Sequence, residues 1–298
     1  LAVVPDHTFD DAPEADVIVV PAIASPEDEA VVGFVRRRGA RAGLVLSVCE
    51  GARVVARSGL LDGGTAATHF AAVDELDEAY QATRFVHGHR YVWSPPVLST
   101  AGVSAALDGS LAAIALRVGD DAARETAEQL GIRWHRETDA AGSSARPPAH
   151  EIGFGDAWRL VTSYLQPWRR SEVALWLRDG SSEIAIAAVL DALPRTLRVA
   201  VTSVAGPRRV VTTRHGLRLI ANETWAELGD RPLDRVFAVG PAPIDRSPRG
   251  DAVQAIGVPT PGAALDEVLA VVADEISPGH RRTVGAMLEY ADAGAAGP

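Results

Sequence analysis

Cys49 is the one cysteine among these 298 residues. A single thiol forms no internal disulfide, which fits a reducing compartment, so a cytoplasmic location is the expectation. Basic residues are in deficit: 29 Lys and Arg against 39 Asp and Glu leave a net charge of −10. That balance argues against nucleic acid or an anionic membrane as the main partner. No apolar run reaches the roughly 20 residues of a membrane span. An initiating methionine is missing too. The chain opens at Leu1-Ala-Val-Val, inside what reads as a strand, so an upstream portion, with room for a signal or anchor, is expected. What the chain does have is apolar bulk. At 47% hydrophobic residues it is long and greasy enough for two domains with real cores.

The rest is organised around Gly43-Leu-Val-Leu-Ser-Val-Cys49-Glu-Gly51. A short apolar run bounded by turn signals predicts a buried strand, and Ala52 to Arg57 predicts the start of a helix. A nucleophile on such a strand-to-helix turn is lifted out of the sheet. Gly51 lets the backbone turn tightly, and amides at the helix start face the same space. That arrangement lowers a thiol pKa and offers donors to an oxyanion. A small buried hydrophobe is the other reading of Cys49.

Strands alternate with helices along the chain, which predicts an α/β fold with a doubly wound parallel sheet. In the first half, strands are expected at 1–5, 16–21, 43–48, 65–70, 83–86, 91–93 and 98–101. Helices are expected at 26–38, 73–80, 105–118 and 121–130, the first carrying acids in its opening turn and Arg36, Arg37 and Arg38 in its last. Residues 138–155 turn to Ala, Gly, Ser and Pro and read as a linker. Beyond it, helices are expected at 158–168, 182–193, 265–276 and 279–290, and strands at 172–177, 197–204 and 235–240, with a hairpin at 208–213 and a loop from Pro241 to Gly262. The tail 293–298 reads as disordered.

A repeat emerges when the halves are aligned. Leu1-Ala-Val-Val-Pro-Asp-His-Thr-Phe, followed by Asp16-Val-Ile-Val-Val-Pro, matches Leu217-Arg-Leu-Ile-Ala-Asn-Glu-Thr-Trp, followed by Arg235-Val-Phe-Ala-Val-Gly. Two related domains follow, 1–137 and 156–292, the first clipped at its N-terminus and the second degenerate, without cysteine or a second elbow.

Three motifs carry a resemblance: Ser47-Val-Cys49-Glu-Gly-Ala, Gly59-Leu-Leu-Asp-Gly63 with Ala67-Thr-His69-Phe, and Ser99-Thr-Ala-Gly102-Val-Ser-Ala-Ala-Leu-Asp108. Residues 1–135 resemble the ThiJ/PfpI family of the class I glutamine-amidotransferase-like superfamily. Nearest in likeness are the domain found in AraC-type regulators and isonitrile-hydratase-like proteins. In the second half, Asp179-Gly-Ser-Ser-Glu183 and Met287-Leu-Glu-Tyr290 resemble the family's first turn and last helix. The resemblance implies a flavodoxin-like sheet, Cys49 as the reactive elbow cysteine and His69 near the thiol. It also implies oxyanion or pocket positions at Glu50, Gly51, Ala22, Ile23, Ser99, Thr100 and Gly102. Relatives usually place glycine where this chain has Ala22-Ile23. The acid that bonds the thiol belongs to a turn upstream of Leu1, and its visible counterpart is Glu183, read as a relic or as lent to the first half. No glutaminase histidine–glutamate pair is recognisable near the C-terminus, and no helix-turn-helix region follows, so neither glutamine hydrolysis nor the regulator architecture is expected.

His87 and His89, two apart in a turn, begin a metal set that no nearby carboxylate or cysteine completes, so neither metal nor cofactor is expected. The expected partner is a small molecule, in a homodimer or an intramolecular pseudo-dimer. The functional readings are a cysteine-dependent hydrolase, hydratase or lyase on a small carbon–nitrogen or carbonyl compound, a binding or redox-sensing module, and a structural tandem.

Overall fold

The computed structural model describes residues 1–132, 134, 152–258 and 260–290. The expected tail and residues 138–151 of the expected linker lie outside them.

In chain order the first half carries β1 (Ala2–Val3), β2 (Val17–Val20), α1 (Glu29–Gly39), β3 (Leu44–Val48), α2 (Ala52–Arg57), β4 (Thr65–Ala66), α3 (Val73–Ala79), β5 (Arg84–Phe85), β6 (Tyr91–Ser94), β7 (Val97–Thr100), α4 (Ala105–Arg117) and α5 (Asp120–Leu130). One sheet has the order β2-β3-β7-β6, parallel except for the antiparallel edge strand β6. Side chains alternate between its two faces. Val45 faces a core built with α1 and α2, including Val32, Val35, Val54 and Val55, while Leu44 and Leu46 face another that contains Ala112 and Ala113 of α4. Helices on both faces bury β3 from Leu44 to Ser47, which is why its sequence is apolar apart from the small Ser47. Helix α1 starts three residues later than the acidic run suggests, because Asp28 acts as its cap and accepts a bond from the Ala30 amide at 2.8 Å.

The second half carries α6 (Phe154–Tyr164), β8 (Ser171–Leu177), α7 (Glu183–Arg195), β9 (Val199–Ala205), β10 (Val210–Thr212), β11 (Arg218–Ile220), β12 (Glu223–Thr224), α8 (Trp225–Leu228), β13 (Arg235–Val239), β14 (Val253–Ala255), α9 (Ala264–Glu275) and α10 (Pro278–Met287). Its parallel sheet has the order β12-β9-β8-β13-β14. The first strand, β8, lies inside, with β9 and the short β12 on one side and β13 and β14 on the other, a doubly wound arrangement. Three expectations need correction. The segment 152–155 is not all linker, since α6 begins at Phe154 and ends at Tyr164, well before Trp168. The loop 241–262 contains a strand, β14, supplied with a ladder by β13. The last helix stops at Met287, not Tyr290.

A third sheet joins the halves. β1 pairs antiparallel with β11, which also pairs with β10. The register sets Val3 opposite Leu219, and these are equivalent positions of the sequence repeat. A segment that pairs with its own repeat about a shared midpoint has the geometry of a two-fold axis.

Candidate functional site

A sharp turn joins β3 to α2. Val48 is extended, Cys49 is left-handed at φ +56°, and a single 3-10 turn, Cys49–Gly51, leads into the helix. Left-handed backbone is uncommon for a residue with a side chain and persists where the surroundings enforce it. Here three contacts do so. The Cys49 amide donates to Thr100 Oγ1 at 3.4 Å, and the buried Thr68 hydroxyl donates to the Cys49 carbonyl at 3.0 Å. Behind the turn, the Val20 carbonyl and Pro21 press so close to Gly51 that no side chain fits.

The loop after β2 is therefore beside Cys49, as the motif alignment implies, but Pro21 makes the contact. Ala22 is exposed and Ile23 packs partly into the core of α1 and α2. Glu50 sends its carboxylate to Arg53, at 2.8 Å, which in turn holds Glu75. Its amide reaches the sulfur.

Burial pushes the Cys49 thiol up to about 11. The Glu50 amide and the charge of Arg195 oppose this, while the carboxylates of Glu50 and Glu289 add to it. In this conformation the thiol is neutral at pH 7, not an activated thiolate.

His69 sits across the turn but has both ring nitrogens occupied. Nδ1 accepts from the Ala71 amide at 3.3 Å, which places the proton on Nε2, and that nitrogen donates to the Met287 carbonyl at 3.2 Å. Ser99, a pocket candidate, is wholly buried. Its hydroxyl accepts from the Ala67 amide at 2.9 Å and donates to the Val92 carbonyl at 3.3 Å, so it braces β6, β7 and the segment leading to His69. Thr100 is the brace for the Cys49 amide. Gly102 does reach the site: a Cβ there would lie 2.7 Å from His69 Cδ2 and 2.9 Å from the Glu289 carboxyl carbon.

Glu289 is the residue that motif reading misses. The periodicity predicts a helix over 279–290, yet the helix ends at Met287 and Glu289 turns left-handed, at φ +50°. Its carboxylate accepts from the Phe70 amide at 2.7 Å and the Gly102 amide at 2.6 Å. No local signal such as a glycine marks that turn. Glu183, the expected counterpart of the missing acid, lies elsewhere, bonded at 2.9 Å to both the amide and the ring of His215. Burial works against its charge, but hydrogen bonds from Thr213, its own amide and His215 outweigh this and hold its carboxyl down at about 2. An open groove of about 420 Å³ in the second half is walled by Leu160, Leu190, Asp191, Pro194, Arg195 and Met287, whose carbonyl bonds His69.

At the His87 turn the sequence reading needs one correction. A carboxylate does arrive: Asp74, from α3, bonds His87 Nε2 at 2.8 Å. His89 turns instead to the His87 carbonyl. Among the described residues no group of three metal-ligating side chains forms, and no helix is long and apolar enough to cross a membrane.

Comparison with known proteins agrees with the motifs. Residues 1–115 match the DJ-1/PfpI family. The isonitrile hydratase of Pseudomonas putida is 35% identical over 149 residues, which are 49% of this chain and 64% of that protein's length. A ThiJ/PfpI family protein from Pseudomonas syringae is 29% identical, with a TM-score of 0.39, over 49% of this chain and 62% of its own. A DJ-1 superfamily protein from Salmonella typhimurium is 28% identical, with a TM-score of 0.35, over 40% of this chain and 65% of its own. The segment matched to the DJ-1/PfpI family, residues 1–115, contains Cys49, His69 and Gly102, and the chain spans less than two thirds of the length of these relatives.

Proposed function

We propose that Cys49 is the nucleophile of a hydratase or hydrolase acting on a small carbon–nitrogen or carbonyl compound. The observation that carries this is the enforced left-handed backbone of Cys49 between a strand and a helix, with the Glu50 amide on its sulfur. The Pseudomonas putida relative suggests the compound class, since an isonitrile carbon accepts a nucleophile and then water. In the proposed cycle on an isonitrile or nitrile, a sulfur–carbon bond forms, the thiol proton passes to the substrate and a thioimidate results. Water adds across its C=N bond, its proton going to nitrogen and its hydroxyl to carbon, and the sulfur leaves as the C–OH proton returns to it, releasing a formamide or an amide. His69 carries protons once its Nε2 leaves the Met287 carbonyl, and the Glu50 amide holds developing negative charge.

The test is turnover of a panel of small isonitriles, nitriles and aldehydes, with the pH dependence of Cys49 alkylation by iodoacetamide beside it. Alkylation of the resting chain is expected to be slow at pH 7 and to climb toward pH 11. Product formation is expected to vanish in Cys49→Ala. A folded chain that turns over nothing, even when Glu289 is replaced by glycine, sinks the enzyme reading.

The self-matched register of Val3 and Leu219 favours a second statement about architecture. We infer that units 1–137 and 156–292, the latter now starting with α6 at Phe154, form a pseudo-dimer, the second standing where a partner subunit would. A monomer by sedimentation velocity is expected; a stable dimer would argue against it.

A further inference from the structure

After α10 the chain folds back onto the first half and is fastened there through its backbone. The Leu288 carbonyl accepts from the Ser104 amide at 3.1 Å. The Glu289 carbonyl accepts from Ser104 Oγ at 2.7 Å and from Arg90 at 3.1 Å, and Arg90 is itself paired with Asp108. With the Met287 carbonyl on His69, these bonds deliver the Glu289 side chain between two loops that flank Cys49. One loop follows His69, the other follows β7. Each gives up one amide, Phe70 to Oε1 and Gly102 to Oε2, so both carboxylate oxygens are held as a bound carboxylate would be.

The groove lined by Met287, whose carbonyl bonds His69, also carries the ion pair of Asp191 and Arg195 on its wall. Arg195 lines it and its charge reaches the Cys49 sulfur. The guanidinium pairs with Asp191 through Nη2 at 3.3 Å, but its buried Nε has no hydrogen-bond partner. A buried, unbonded guanidinium nitrogen calls for an acceptor. Glu289 itself sits at a positive φ that favours glycine, so the sequence keeps a carboxylate at a place where the backbone alone would prefer none.

We propose that the amides of Phe70 and Gly102, with Arg195 on the adjoining groove, bind the carboxylate of a small anionic substrate, and that Glu289 fills this site as an internal stand-in. The substrate class of the proposed function is thereby narrowed to compounds that carry a carboxylate near the reacting carbon. This rests on reading the surroundings of Cys49 as a substrate pocket. Ligand entry requires the side chain of Glu289 to leave, after which the thiol no longer faces that carboxylate.

The experiment uses Glu289→Gly, which suits the left-handed backbone, with Glu289→Ala as the second variant. Labelling with 15N-phenylalanine leaves six amides to follow. Acetate is expected to shift the Phe70 resonance saturably in both variants and not in the parent chain. In parallel, Cys49 is alkylated with iodoacetate and with iodoacetamide, which differ in the carboxylate alone. The ratio of the two rates is expected to rise about tenfold in the variants, a modest return for two charge-assisted hydrogen bonds. An unchanged ratio together with no acetate response overturns the proposal. Loss of folding in both variants overturns it as well, since Glu289 is then a structural brace. Acetate binding needs no thiol, so it stands or fails separately from turnover by Cys49.

Discussion

Gly51→Ala sets two physical effects against each other with opposite signs. Gly51 has φ −55° and ψ −21°, ordinary helical values that alanine adopts without strain. By propensity alone alanine would stabilise the start of α2, by about 0.5–1 kcal/mol. The structure predicts the reverse. A Cβ on Gly51 would lie 2.1 Å from the Val20 carbonyl oxygen and 2.9 Å from the carbonyl carbon and oxygen of Pro21. Those are backbone atoms, and Val20 is tied into β2, whose ladder with β3 leaves it little room to move. Relief therefore displaces the end of β2 or the Cys49 turn. Overpacking of this kind costs about 1–3 kcal/mol, and the closeness of the contact puts this site at the upper end. Net of the propensity gain, a loss of about 2 kcal/mol is expected, or roughly 4–8 °C in melting temperature for a chain of this size. Guanidinium melts of the parent and Gly51→Ala, with Gly155→Ala as control, measure it. Gly155 lies in α6 with open space around its would-be Cβ, so there propensity acts alone and stability should rise slightly. A Gly51→Ala chain as stable as the parent, or more so, would refute the packing described between the turn and the loop after β2.

Ser99→Ala removes the acceptor of the Ala67 amide in a fully buried setting and should cost about 1–3 kcal/mol by chemical denaturation. Glu183 makes a pH-dependent contribution. Its folded pKa is depressed, so the stabilisation is fully present above the usual carboxylate value of about 4.5 and is lost as pH falls toward about 2. Urea midpoints of the parent and Glu183→Gln should differ at pH 6 and converge through that window; a gap independent of pH would count against the His215 pairing.

Much of this protein is legible in its sequence, because periodicity and local capping act over a few residues. The largely apolar run 44–48, buried on both faces, marked a central strand, and Gly51 after Cys49 marked a turn, though glycine is needed there for the close approach of Val20 and Pro21 and not for its backbone angles. The three motifs carried the likeness of residues 1–115 to the DJ-1/PfpI family. Other features depend on contacts between distant parts. β14 has only three residues and takes its strand character from the β13 ladder. Ser99 reads as a pocket residue from its motif, yet tertiary packing turns its hydroxyl inward to satisfy two backbone groups. The state of the thiol was not local either. Its turn is written in residues 43–51, but its neutral form is set first by burial and then by two carboxylates, the adjacent Glu50 and Glu289, 240 residues further along the chain. Glu289 arrives there because Arg90 and Ser104 hold its backbone, a juxtaposition that no spacing in the sequence encodes.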